Sequence, residues 1–142
     1  MQLYFITVFY LYFGSALLLV DEYGGRYLLL IRLRNMMEST KRSYVLYALL
    51  GFVLMLLNIF FPVPPGPVLL GDLLPVAGLF FLLLYALYRL AQQGKGSSKL
   101  KLRQEEVLRK TGLLLEYEKK SLGLIMVGVA TLHLLFPKAV LL

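Results

Sequence analysis

Residues 43–88 read SYVLYALLGFVLMLLNIFFPVPPGPVLLGDLLPVAGLFFLLLYALY and contain a single charged side chain, Asp72. Near the middle, residues 60–67 (FFPVPPGP) cluster prolines with a glycine, which neither a helix interior nor a sheet tolerates. On each side lies an apolar run of about 20 residues, the length at which a helix crosses a bilayer. The stretch therefore predicts two transmembrane helices, at about 44–61 and 72–91, joined by a short turn at 62–71.

Asp72 marks the predicted start of the second of these helices. Its carboxylate suits the N-cap position, where it accepts a free backbone N–H of the first turn. Pro75 would then be the third helical residue, where the missing N–H costs nothing because first-turn donors have no partner within the helix.

The composition agrees with a membrane protein. Of the 142 residues, 59% are hydrophobic, more than a soluble domain of this size can hide from water. The net charge of +7 would suggest nucleic acid in a soluble protein, but all 15 Lys and Arg lie outside the long apolar runs. Membrane orientation produces this distribution. We therefore predict one integral membrane domain over residues 1–142, with no nucleic-acid partner.

Two further spans are predicted outside the central hairpin. Residues 1–20 carry no charged side chain, and the segment 21–25 (DEYGG) ends that run with charge and two glycines. Residues 121–136 form a shorter apolar run, which Pro137 ends. The predicted fold is an all-α bundle of four transmembrane helices.

Two helices are predicted in the segments between the spans. An interfacial helix at about 26–38 would lie on the membrane, with Arg32, Arg34 and Asn35 off its apolar face. That face follows helical spacing and consists of Leu29, Leu30, Leu33, Met36 and Met37. The second helix, at about 99–120, is amphipathic and mixes apolar positions with Lys, Arg and Glu.

The charges predict the orientation. The segment between the first two spans holds five Lys and Arg, the turn at 62–71 none, and residues 89–120 nine. The positive-inside rule then places both basic segments, 21–43 and 92–120, in the cytoplasm and both termini outside. Seven tyrosines would lie in the aromatic belt near the cytoplasmic interface: Tyr23, Tyr27, Tyr44, Tyr47, Tyr85, Tyr88 and Tyr117. We predict a multi-pass protein of the cytoplasmic (inner) membrane.

Three polar residues form the candidate site. Asn58, Asp72 and His133 would lie near the outer ends of their helices, at the depth of Tyr4 and Thr7. An ionisable group within the membrane suggests function, and an Asp–His pair can relay protons. The alternative is that Asp72 only caps its helix and His133 only donates a hydrogen bond at the interface. One His and one carboxylate are too few for a zinc site, and we predict neither a metal nor a cofactor.

A set of basic residues is the candidate contact for anionic lipid head groups or an acidic partner. Each charge near the surface contributes about 1 kcal/mol to such binding. The alternative is that these charges only set the topology. The set is Arg32, Arg34, Lys41, Arg42, Lys99, Lys101, Arg103, Arg109 and Lys110.

Two functions are consistent with these features. The first is a non-catalytic accessory or scaffold subunit that contacts other integral membrane subunits of a larger complex. The second is a small homo-oligomeric transporter or channel, with Asn58, Asp72 and His133 lining an outward-facing site. An enzyme would need a nucleophile or a metal that the sequence does not suggest, so we predict that the protein is not an enzyme.

Overall fold

A computed structural model describes residues 2–61, 73–93, 110, 113 and 116–136. Within these residues it contains five helices: α1 (Gln2–Tyr23), α2 (Leu28–Glu38), α3 (Lys41–Phe60), α4 (Leu73–Gln93) and α5 (Lys119–Leu135). The described chain is all-helical, as predicted. The predicted amphipathic helix at 99–120, the turn at 62–71 and Asp72 lie largely or wholly outside the described residues.

Three of these helices are long and apolar enough to cross a membrane: Leu3–Tyr23, Lys41–Phe60 and Leu73–Gln92. They confirm a multi-pass membrane protein. The remaining predicted span corresponds to α5, which has 17 residues and is about 26 Å long at 1.5 Å per residue.

The long helices form two antiparallel pairs that pack together. α1 packs along α5, and α3 packs along α4, while α1 and α4 also contact each other between the pairs. The pairing of α1 with α5 extends over most of their length, because Tyr4 contacts His133 near one end and Asp21 contacts Lys119 at the other. Leu11, Leu79 and Leu82 are fully buried where the helices meet.

α2 packs against the ends of α1 and α3, but not with the whole face that the sequence predicted. Met37 is buried and Leu33 packs against the core, whereas Leu29 and Met36 are 76% and 56% exposed. The helix turns about 100° per residue, so Leu29 and Met36 lie well around the axis from Met37. The predicted apolar face is therefore divided between a side packed on the bundle and an exposed side.

The tyrosines also differ from the prediction. Tyr27 and Tyr117 are exposed, as an aromatic belt requires, but four others lie inside the bundle: Tyr44, Tyr47, Tyr85 and Tyr88. The position of a tyrosine in the sequence determines its height along the helix. Whether its side chain faces lipid or protein depends on which helices are neighbours. These four side chains face other helices rather than lipid, and their depth near the cytoplasmic interface stays a prediction.

Candidate functional site

A buried group of polar residues, the polar cluster, lies near the start of α1 and consists of Tyr4, Thr7, Asn58 and His133. Asn58 Nδ2 donates to Thr7 Oγ1 at 2.9 Å and to the Leu54 carbonyl at 2.7 Å. The Thr7 hydroxyl in turn donates to the Leu3 carbonyl at 3.0 Å. One amide hydrogen of Asn58 thus holds α3 against α1, and the other bonds within α3 itself.

His133 occupies the other part of the polar cluster. Its side chain is fully buried, and its ring centroid lies 4.8 Å from that of Tyr4. The Tyr4 hydroxyl donates to the carbonyls of His133 and Leu134 near the end of α5. The His133 ring is therefore buried within the bundle, near the end of α5.

Two of the three predicted site residues, Asn58 on α3 and His133 on α5, contact neighbouring residues of α1. Asn58 contacts Thr7 and His133 contacts Tyr4, and positions three residues apart share a helix face. Asp72, the third predicted residue, lies outside the described residues. The polar cluster is a buried hydrogen-bonded tie between α1, α3 and α5.

A second set of side chains, the charged network, lies at the opposite end of the bundle and consists of Asp21, Arg34, Glu38, Arg89 and Lys119. Asp21 pairs with Lys119 and, at 3.0 Å, with Arg34 Nη1. Glu38 pairs with Arg34 Nε at 3.1 Å and with Arg89. The network therefore joins α1, α2, α4 and α5 through alternating charges.

Arg34 is the middle of the charged network. The hydrogen bond and the negative charge of Glu38 raise the pKa of Arg34 above its usual value. The guanidinium therefore stays charged at every physiological pH, and its planar fork holds two carboxylates from different helices.

The structure separates the predicted basic contacts into two kinds. Arg34 is engaged in the charged network although its side chain is 44% exposed, and Arg32, Lys41, Arg42 and Lys110 are exposed as well. The others, Lys99, Lys101, Arg103 and Arg109, lie outside the described residues. Arg34 therefore links α1 and α2 through its ion pairs, in addition to its predicted role as a surface contact.

An open cavity of about 400 Å³ lies beside the charged network, where α1 ends and α2 begins. Its walls are Val20, Asp21, Gly24, Gly25, Ile31, Arg34 and Asn35. Sequence reasoning did not find this cavity, nor the pairing of Asp21, Glu38, Arg89 and Lys119. The only local signal was the spacing of Arg34 and Glu38, since charges four residues apart meet on a helix.

Within the part of the chain that the structure describes, no group of three or more His, Asp or Glu side chains is placed to hold a metal ion. His133, the one histidine of the chain, packs against Tyr4 rather than beside a described carboxylate.

Comparison with known proteins assigns the chain to a family without assigning an activity. No curated protein and no solved structure matches the chain. A family model that carries no description of function matches residues 1–133. This match extends from α1 almost to the end of α5, so the chain belongs to that family.

Proposed function

We propose that the protein is a non-catalytic accessory or scaffold subunit of a larger protein complex in the cytoplasmic (inner) membrane. The supporting observation is the separation of its two polar regions. The polar cluster and the charged network lie at opposite ends of the bundle. Residues 3–20, 43–60, 73–88 and 121–132, which include the whole region between them, contain no Asp, Glu, Lys, Arg or His.

The layer between the two polar regions is packed. Leu11, Leu79 and Leu82 have no exposed surface, and the rings of Tyr10 and Tyr47 stack with centroids 4.5 Å apart. Pathways for ions or protons are lined by polar or ionisable groups. A packed layer without charged side chains, with ends fixed by hydrogen bonds and ion pairs, favours a scaffold over a pathway within one chain.

Two surfaces would contact the partners. The outer side of α3 exposes a broad apolar arc, which consists of Val45, Leu46, Leu49, Leu50, Phe52, Val53 and Leu56. A transmembrane helix of another subunit packs on such a surface in place of lipid. The exposed Arg32, Lys41 and Arg42, together with the basic segment at 99–110, would bind acidic partner segments or anionic lipid.

The proposed topology has four spans, with both termini outside. α5 supports this because it lies antiparallel to α1, from the pair Asp21–Lys119 to the contact of Tyr4 with His133. Because α5 packs along α1 over this length, it would cross most of the apolar layer that α1 spans. The charged network joins the ends of four helices at one end of the bundle. This agrees with the proposal that both basic segments are cytoplasmic.

The scaffold role is tested by removing charge from the cytoplasmic surface without altering the bundle. Replacing Lys99, Lys101, Arg103 and Arg109 with Gln should release the tagged protein from its partner subunits, whereas Asp72→Asn should leave the assembly intact. The measurement is the ratio of co-purified subunits in mild detergent. Unchanged assembly after the fourfold replacement would contradict the role proposed for this surface.

The second candidate function is a small homo-oligomeric transporter or channel. The burial of Asn58 and His133 beside neighbouring residues of α1 favours it, because polar groups inside a membrane often mark a substrate path. Under this alternative, Asp72→Asn or His133→Ala abolishes flux in proteoliposomes while the protein still folds and assembles. Loss of flux only together with loss of folding would count against it.

A further inference from the structure

The cavity between α1 and α2 has walls of mixed chemistry. Val20 and Ile31 are apolar, Asp21 is anionic, Arg34 is cationic, and Asn35 contributes an amide. Its volume of about 400 Å³ falls in the range of small-molecule sites, about 300–1,000 Å³. Asp21 and Arg34 form one edge of the cavity as an ion pair, with 3.0 Å between Oδ1 and Nη1.

Both charged side chains keep capacity for a further partner. Arginine has five N–H donors, and its described ion pairs use the Nε and Nη1 atoms. A carboxylate has about four acceptor sites, and Asp21 receives bonds from Arg34 and Lys119. Asn35 and Arg34 can therefore donate to a phosphate, while Asp21 and the carbonyl end of α1 attract a cation.

The position of the cavity suggests the source of such a ligand. The uncharged run of α1 stops at Val20, and charge begins at Asp21. In the proposed topology this boundary lies at the level of the lipid head groups, next to the hydrocarbon core. The apolar walls at Val20 and Ile31 would adjoin the glycerol and the first carbons of the chains.

We propose that this cavity binds the head group of a zwitterionic phospholipid of the phosphoethanolamine class. The phosphate lies against Arg34 and Asn35, and the ammonium lies against Asp21. This assignment rests on the proposed topology but not on the scaffold role, because a transporter with the same topology would have the same cavity.

Two variants alter the cavity with little effect on the bundle. A Cβ atom at Gly25 would meet no heavy atom within 4 Å, so Gly25→Val narrows the cavity without a clash in the core. Asn35→Leu removes the amide from an exposed position. Gly128→Val is the matched control. A Cβ atom at Gly128 would also meet no heavy atom within 4 Å, but Gly128 lies on α5, away from the cavity walls.

The experiment is native mass spectrometry of protein released from nanodiscs that contain equal amounts of phosphatidylethanolamine and phosphatidylglycerol with matched chains. The wild-type protein should retain phosphatidylethanolamine in preference. Asn35→Leu should reduce this adduct by about tenfold or more, the effect of losing one hydrogen bond to a charged group. Gly25→Val should reduce it by narrowing the cavity. Gly128→Val should retain it.

Three results would overturn the proposal. The first is an equal phosphatidylethanolamine adduct in all four proteins, and the second is a preference for phosphatidylglycerol in the wild type. The third is equally strong binding of free phosphoethanolamine, which would assign the cavity to a soluble ligand. Co-purification of partner subunits is measured on the same variants, and lipid loss with intact assembly separates this proposal from the scaffold role.

Discussion

Two tyrosines and two glycines fix the contact of α1 with α3 at the residue scale. The Tyr10 and Tyr47 rings stack at 4.5 Å with only 10° between their planes, and the Tyr10 hydroxyl donates to the Tyr47 carbonyl at 3.0 Å. Each hydroxyl also lies where the other helix has a glycine. A Cβ at Gly51 would overlap with Tyr10 Oη, and one at Gly14 would be 2.5 Å from Tyr47 Oη.

Gly51→Ala should therefore destabilise the bundle. The added methyl group would displace the Tyr10 ring, and overpacking of this kind costs about 1–3 kcal/mol. Gly128→Ala is the control, because a methyl group there meets open space and should not destabilise the bundle, since Ala favours a helix over Gly by up to about 1 kcal/mol. Thermal unfolding in detergent, followed by circular dichroism, measures both. Equal midpoints for the two variants would contradict this description of the contact.

The sequence could identify individual polar residues but not their partners. Asn58 and His133 stand out because the surrounding spans are apolar, and both are buried. The stack of Tyr10 on Tyr47 could not be predicted, because it depends on the relative rotation of two helices. Tyrosines in a membrane segment are usually interpreted as interfacial anchors, and that general rule concealed the core role of Tyr44, Tyr47, Tyr85 and Tyr88.

At the scale of elements, α2 differs most from expectation. It packs against α1 and α3 through one narrow side that contains Met37, and it exposes Leu29 and Met36. In the proposed topology, the exposed apolar residues of α2 would enter the interfacial layer of the membrane. The helix would then be held by protein on one side and by lipid on another.

Adjacent methionines test this arrangement of α2. Met37→Ala removes a buried side chain and should cost about 2–5 kcal/mol. Met36→Ala changes a side chain that is 56% exposed and should leave the unfolding midpoint nearly unchanged. The two variants have the same composition, so unfolding in the same detergent compares the positions directly. A larger loss for Met36→Ala would reverse the assigned faces.

The long helices were predictable because the bilayer sets their length. An apolar run of about 20 residues predicts a span whichever helices pack against it. The ends of α1, α3 and α4 lie within about three residues of the predicted ends. The face of α2 was not predictable from periodicity alone. Leu29, Leu30, Leu33, Met36 and Met37 form a single apolar stripe, but the bundle covers only part of it.

For the whole molecule, the charged network links the ends of four helices. Glu38→Gln should weaken this link, since Arg89 and Glu38 are only 22% and 29% exposed and a hydrogen bond between charged groups contributes about 1.5–3 kcal/mol before solvent screening. We expect a loss of about 1–2 kcal/mol.

Glu22→Gln is the control for Glu38→Gln. Glu22 pairs with Lys120 at 3.5 Å, and both side chains are half exposed, so screening should leave an effect below about 0.5 kcal/mol. Chemical unfolding in detergent compares the two variants. A similar loss for both would mean that the charged network contributes no more than an ordinary surface pair.

The proposed topology makes a separate prediction, and the lack of cysteine in the chain makes it simple to test. Single cysteines at Val63 and Phe136 should react with a membrane-impermeant maleimide in intact cells. A cysteine at Thr40 should react only after permeabilisation. The reverse pattern would invert the orientation, and protection of Phe136 from the outside would argue against α5 as a full span.

The central claim, that this chain is a scaffold subunit, is tested most directly by native mass spectrometry of the tagged protein, expressed at its natural level and extracted in mild detergent. We predict a complex that contains at least one different membrane subunit in a fixed ratio to this chain. A homogeneous oligomer of this chain alone, with no other subunit, would contradict the claim and favour the transporter alternative.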